Sequence, residues 1–329
     1  MDSMMIRQAL KFSIALAAVM FLLGDPCYEV TGQTPPRNEV KTITLGLVSE
    51  TNQQDIAEHF RDLARYVARK LSAPTDAEGQ VVVARSLSEL AKLLDQNKVD
   101  FFMESPYPTY VVNQVHGAGK LLVRRWKGGK AEYRSLIATN KNGGTNRIQD
   151  LRGKIIAFED AESTSGYFLP KLFLQRNGFK LLPVSALSAT VPATEVGYVF
   201  AHTQDVLVEW VLSKQVAAGA LSDDDYAALD DKRKVDLNIL AQTELLPRHL
   251  VSVRKNLAPE LIERLGRVLQ SMHEDSEGQR ILRSIDNTTK FDLLPGGEEA
   301  MRRRLLDTFH SPEKRYRAEL KTLKPRTIH

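Results

Sequence analysis

At 329 residues the chain is long enough for one to three domains, and 43% hydrophobic with 26% charged residues is an ordinary globular composition. The 45 Lys and Arg nearly balance 41 Asp and Glu, leaving +4, so the charge demands no nucleic-acid partner. A single cysteine excludes a disulfide framework, and seven dispersed histidines, none paired at metal-ligand spacing, point to no metal site.

Arg7 and Lys11 precede an apolar run from Phe12 to Leu23, which Gly24, Asp25 and Pro26 then break. A basic start followed by a short apolar core reads as a secretory signal over residues 1–32. The run is too short for a confident spanning helix. Val30, Thr31 and Gly32 offer a cleavage point before Gln33, although retention of the leader as an anchor stays open. Asp25 and Pro26 disfavour lipidation at Cys27. Residues 33–40 are polar and Pro-rich and read as a tether. Export, to the periplasm or otherwise, is the expected fate.

Thr42 to Val48 alternates and predicts a strand. Ile56 to Leu71 has helical spacing, with Arg61, Arg65 and Arg69 on the outer face. A strand at Val81 to Ala84, a helix from Ser88 (as cap) to Gln96 and a strand at Val99 to Met103 follow. Pro106 to Val115 predicts a helix, Lys120 to Trp126 a strand, and Gly128 with Gly129 a turn. Tyr133 to Thr139 is a strand placed at a crossing between two lobes. A second series comprises Lys154 to Phe158, Gly166 to Asn177, Asp205 to Ser213, Ala217 to Leu221 and Asp223 to Leu229. Leu237 to Ala241 and Leu250 to Val253 are expected to return the chain to the first lobe, and Pro259 to Met272 and Glu298 to Phe309 to finish as helices. Strands alternating with helices argue for mostly parallel α/β sheets. The expected layout is lobe 1 over 41–132 and 238–329, with lobe 2, residues 133–237, inserted within it. The basic cluster Arg302, Arg303, Arg304, Lys314 and Arg315 reads as the solvated face of terminal helices, with a membrane or partner contact as the alternative.

Ser163, Thr164 and Ser165, followed by Gly166, lie between a predicted strand and a predicted helix. Three hydroxyls beside the free N–H groups of a helix start can hold a small oxyanion without a metal or a cationic side chain. A single Ser there would be no more than an N-cap. Glu159, Asp160 and Glu162 look wrong for an anion site and are expected to face solvent while stabilising the helix start.

The stretch from Lys154 through Ser163, Thr164, Ser165 and Gly166 to Pro170 resembles the signature of periplasmic phosphonate/phosphite/phosphate-binding proteins of ABC importers. The similarity runs from about Thr42 to Ser284 and includes Val99 to Phe102, Tyr133 to Ile137 and Lys214 to Asp223. It implies a type II two-lobed clamshell, each lobe a mostly parallel sheet with flanking helices, that closes on its ligand by hinge motion. It further implies ligand contacts from Ser163, Thr164, Ser165 and Gly166, and from the loop of Glu104, Ser105 and Tyr107. Tyr133 on the crossing strand is added to these. Gln204 falls where the family commonly has an oxyanion-binding His, with His202 as the substitute if the register slips. Asp224 matches an acid that holds the amine of aminoalkylphosphonates, and Arg248 or His249 stands where another acid is common. That last departure predicts a more anionic ligand. Glu104 departs from the usual small residue and either faces the cleft or pairs outside it. No cofactor is implied. The expected partners are a small oxyanion and an ABC permease, or a membrane sensor in the alternative reading, with the protein itself a monomer. An exported hydrolase is the competing class, but no Gly-x-Ser-x-Gly, His-Glu-x-x-His or phosphate-loop motif supports it.

Overall fold

The computed structural model describes residues 41–72 and 77–310. The expected leader, tether and Cys27, and the basic residues Lys314 and Arg315, lie outside the described residues.

The chain opens with β1 (Thr42–Val48), α1 (Gln53–Ser72), β2 (Glu78–Ala84), α2 (Leu87–Asp95) and β3 (Phe101–Glu104). Next come α3 (Pro106–Tyr110), β4 (Gly119–Lys127), β5 (Glu132–Tyr133), β6 (Ser135–Asn140) and β7 (Ile155–Phe158). Then α4 (Leu169–Arg176), β8 (Lys180–Pro183), β9 (Glu195–Phe200), α5 (Gln204–Leu212), β10 (Ala218–Ser222), α6 (Asp223–Ala228), α7 (Asp231–Val235) and β11 (Leu237–Gln242) follow. The chain closes with β12 (Leu246–Pro247), β13 (His249–Arg254), α8 (Pro259–Ser271), α9 (Ser276–Ser284), β14 (Thr288–Leu293) and α10 (Gly297–Phe309).

The strands make two six-stranded sheets, in the orders β14-β4-β13-β3-β1-β2 and β11-β6-β10-β7-β9-β8, joined by a small β12-β5 ribbon. Within each sheet the βαβ units pair in parallel (β1 with β2 and β3; β7 with β9 and β10), while β4, β13 and β14 or β6 and β11 pair antiparallel. The apolar face of α1 (Phe60, Leu63, Ala64, Val67, Leu71) covers the first sheet. Helix and strand come into backbone contact there, because a Cβ on Gly79 would fall 2.3 Å from the Ala64 carbonyl. A separate core of Leu207, Val208, Val211 and Leu237 serves the second sheet. A third cluster runs from one lobe into the other through Tyr107, Tyr110, Phe168, Leu305 and Phe309. No helix among the described residues is long and apolar enough to cross a membrane.

Three local expectations change. Leu237 to Ala241 does not return to the first lobe: it pairs with β6, Leu237 opposite Asn140, so the second sheet keeps its chain through Gln242. Pairing there covers an edge of β6 that would otherwise present unpaired backbone groups. The crossing back is made at Leu246 and Pro247, opposite Tyr133 and Glu132. Secondly, Ser86 rather than Ser88 caps α2; it accepts from Glu89 N at 3.2 Å while Glu89 Oε2 accepts from Arg85 N at 2.8 Å. Thirdly, the helices beginning at Pro106 and near Gly166 each contain a wide π turn, at Val111–Val115 and Thr164–Phe168. Strands β8, β9, β12 and β14 and helices α7 and α9 are additions to the expected set.

Candidate functional site

The loop after β7 enters its π turn through Ser163, the N-cap, whose Oγ accepts from Gly166 N at 2.9 Å. Ser163 Oγ donates to Glu159 Oε2 at 2.8 Å. Its donor and one lone pair are therefore committed within the loop. Glu159 accordingly does not face solvent as expected but folds back under the turn, where loss of water raises its pKa and the Ser163 bond opposes the rise. Gly166 is required at this approach, since a Cβ would lie 2.5 Å from Glu159 Oε2 and 2.8 Å from Ser163 Oγ.

Thr164 and Ser165 turn inward and are 1% and 8% exposed. Thr164 meets the other lobe directly: its Oγ1 lies 2.9 Å from Ser105 Oγ and accepts from Tyr107 N at 2.9 Å. Pro106 at the first position of α3 has no N–H, so the next amide, Tyr107 N, is the one presented to Thr164. Tyr107 N donates to Thr164 Oγ1, and the Ser105 and Thr164 hydroxyls share a bond in which either can be the donor. The Tyr107 ring stacks on Phe168 at 16° between planes, so the same two loops also share an aromatic contact.

Tyr133, on the crossing strand, is buried, and its hydroxyl interacts with the side chains of Thr164 and Ser165. Burial pushes that phenol up to about 12, with the Arg248 charge opposing, so at neutral pH it is a donor and not an anion. The Arg248 guanidinium lies 4.4 Å from the centre of the Tyr133 ring and is 8% exposed. Its Nε donates to Asp224 Oδ2 at 2.8 Å, and Lys130 Nζ holds Asp224 Oδ1 at 2.7 Å. Asp224 thus reaches the site through Arg248. Ser222 caps α6, accepting from Asp225 N at 3.0 Å.

Glu104 ends β3, and its Oε1 accepts from Val48 N at 3.0 Å. Removal from water, with smaller contributions from Glu162 and Asp160, pushes its carboxyl up to about 8. Glu162 also differs from expectation. It turns toward lobe 1, accepts from the Leu87 amide at the head of α2, and is pushed up to about 7 by burial and by Asp160 and Glu50. Both raised carboxyls, Glu104 and Glu162, thus lie close to the junction of the lobes.

Two candidates stand apart. The Gln204 amide sits at the head of α5, after a loop tied to β7 by Ala201 N to Phe158 O and His202 N to Glu159 O, both 2.8 Å. Its nitrogen and oxygen are buried and meet no partner, a state that buried polar groups rarely keep. His202 itself is exposed with φ 64°, so it does not replace Gln204. His249 is not brought to the site. Along β13 it shares the face of Val251, in the outer core of lobe 1, while Leu250 faces the cluster between the lobes. Its Nδ1 lies 3.1 Å from Arg125 Nη1, and burial with the charges of Arg125, Arg248 and Lys127 drives its pKa well below the usual value. Sequence reasoning missed Lys130, whose only signal is the preceding Gly128-Gly129 turn. It also gave no weight to Ser135, two positions beyond Tyr133, whose Oγ is buried without a partner.

The family model for the periplasmic phosphonate substrate-binding protein of ABC transporters matches residues 45–294, which include every group named above. The chain belongs to this family. A curated relative, the phosphate-import protein PhnD of Mycolicibacterium smegmatis, is 25% identical over 275 residues, 80% of this chain and 82% of the relative. Among solved structures, XAC2383 of Xanthomonas citri, bound to chloride, superposes with a TM-score of 0.76 at 24% identity over 84% of this chain and 99% of that one. PhnD1 of Prochlorococcus marinus in complex with methylphosphonate gives 0.62 at 16% identity over 83% and 99%. These likenesses identify the fold as the type II periplasmic-binding-protein architecture. As a member of the phosphonate-binding family, the chain is a substrate-binding component of transport and not an enzyme.

Proposed function

We propose that this chain captures a small tetrahedral phosphorus oxyanion, phosphate, phosphite or a short phosphonate, between its lobes and delivers it to an ABC permease. The observation that carries the reading is the meeting at Thr164. A hydroxyl at the head of a lobe 2 helix receives a backbone donor and a hydroxyl from lobe 1, beside the Tyr133 phenol and the Arg248 guanidinium. Such an assembly is complete only when the lobes are together, so binding and closure are one event. The names of the relatives agree with the chemistry: one imports phosphate and another holds methylphosphonate.

In this reading Thr164, Ser165 and Tyr133 donate to the oxyanion, and the helix start adds its partial positive charge. Ser163 and Gly166 shape the turn. Ser105 and Tyr107 orient Thr164 and take little direct part. Arg248 supplies charge moderated by Asp224, and the partnerless Gln204 amide at the head of α5 is a further donor of lobe 2. Glu104, protonated near neutral pH, donates to a ligand oxygen where a carboxylate would repel it. The ligand is more anionic than an aminoalkylphosphonate, because the acid matched to an amine, Asp224, is already held by Arg248 and Lys130.

A thermal-shift panel of phosphate, phosphite, methylphosphonate, 2-aminoethylphosphonate and sulfate tests this. Stabilisation by the phosphorus oxyanions and not by sulfate supports it. Stabilisation by sulfate alone, or by the aminoalkyl compound alone, refutes the ligand class.

A further inference from the structure

Helix α10 lies far along the chain from every group placed at the ligand site, yet it touches both lobes and both crossings. Arg304 Nη1 pairs with Glu132 Oε1 on β5, and its Nη2 donates to Leu245 O just before β12, each at 2.8 Å. In the last turn of α10, Thr308 O accepts from Arg176 Nη2 of lobe 2 at 3.3 Å, and Arg176 Nη1 lies 3.4 Å from Glu244. A cation at the final carbonyls of a helix is favourably placed. Beside this contact a cavity of about 520 Å³, lined by Arg176, Glu244, Arg303 and Asp307 among others, separates α10 from the lobe 2 surface. Arg176 spans it.

The next residue, Phe309, is buried edge-on against Tyr107 at 5.4 Å and 74°, and tilted against Tyr110 at 5.5 Å and 42°. Tyr107 stacks in turn on Phe168 of the Thr164–Phe168 turn, and its amide donates to Thr164. One ring therefore separates α10 from the loop that carries Thr164 and Ser165. Phe309 fixes the lobe 1 ring, and Arg176 fixes lobe 2 against the same helical turn.

We propose that α10 is a positioning element for closure: Phe309 and the Arg176–Thr308 contact hold the lobes in the joined arrangement, and so set ligand affinity without touching the ligand. This rests on the reading that the protein closes on an oxyanion. The alternative for a helix beside a hinge is a prop that favours the open form, and the two make opposite predictions.

The test uses full-length protein with nitroxide labels on Cys substitutions of Lys92 in lobe 1 and Ala227 in lobe 2, in a Cys27→Ser background. Interlobe distances are measured without ligand, and methylphosphonate association and dissociation rates are measured in parallel. Arg176→Ala is expected to broaden the ligand-free distances toward longer values and to weaken methylphosphonate about three- to tenfold, mainly through faster dissociation. Arg176→Lys should recover part of the loss. Phe309→Leu, which keeps an apolar side chain in the core, should act in the same direction. Unchanged distances and rates, or shorter distances with tighter binding, overturn the proposal. If unsubstituted protein binds no phosphorus oxyanion, the functional reading falls, and the distance measurement still decides the role of α10.

Discussion

The hydroxyl of Thr164 and the backbone amide of Tyr107, 57 positions apart in sequence and on opposite lobes, meet at 2.9 Å. The bond joins the head of one helix to the head of another, a junction that would repel were it not for the neutral oxygen between them. Thr164→Val keeps the shape and removes that oxygen, leaving a buried N–H without an acceptor. The expected cost is about 1–3 kcal/mol of stability in urea unfolding, together with loss of oxyanion affinity of at least tenfold. Val substitution with unchanged midpoint and affinity would show that the contact is incidental.

Gly166→Ala tests the turn itself. The added methyl meets Glu159 Cβ and Oε2, each at 2.5 Å, so the carboxylate must swing away and release Ser163, and the loop must shift to clear the Cβ. We expect destabilisation of about 1–3 kcal/mol. Gly166→Ala combined with Glu159→Ala removes the carboxylate but keeps the Glu159 Cβ, also 2.5 Å from the added methyl, so it should recover only part of the loss, and denaturant midpoints of the single and double variants check this. Equal destabilisation in both would mean that the Cβ contact, and not the carboxylate, is the obstacle.

Arg248 and Asp224 should act in opposite directions. Arg248→Met removes the guanidinium over Tyr133 and leaves Asp224 held by Lys130 alone, so phosphate affinity should fall about tenfold or more. Asp224→Asn frees Arg248 and should strengthen phosphate binding, with a steeper salt dependence. Calorimetric titration at two salt concentrations measures both. Weaker phosphate binding in Asp224→Asn would mean that Asp224 orients Arg248 rather than attenuating it.

The raised carboxyls of Glu104 and Glu162 give a pH dependence of fixed sign. Folding lifts Glu104 to about 8 and Glu162 to about 7, so between the unfolded carboxylate range and those values the native state binds more protons than the unfolded one. Stability is then present at low pH and is lost as pH rises through 7 and 8. His249 works the other way, because its folded value is depressed, but it is neutral in both states above the ordinary histidine pKa. The window from about pH 7 to 8.5 therefore isolates the carboxyls. The melting temperature should fall across that window, and Glu104→Gln should flatten the fall. A flat wild-type profile would mean that both carboxyls are ionised without penalty.

Much of the fold was legible because it rests on local periodicity. Alternation marks β1, and the spacing of Phe60, Leu63, Val67 and Leu71 marks α1. The run of Ser163 to Gly166 announces a helix start. What escaped depends on pairing at a distance. Leu237 to Gln242 has the composition of a strand wherever it goes; only the free edge of β6 decides its lobe. Ser86 and Ser88 are equally good caps by type, and Glu89 reaching back to Arg85 selects Ser86. The π turns change the facing of Thr164 and Ser165 but leave no mark in residue type. At the site, the sequence named the residues and not their commitments. It could not tell that Ser163 is spent on Glu159, that Asp224 answers to Arg248, or that strand alternation carries His249 to the outer core.

The most direct test of the account is a crystal structure of the protein grown with methylphosphonate. The account predicts the phosphonate oxygens within about 3 Å of Ser165 Oγ and the Tyr133 hydroxyl, with Thr164 still joined to Tyr107 across the lobes. An oxyanion bound elsewhere, or lobes shut with Ser165 and Tyr133 making no contact to it, would contradict it.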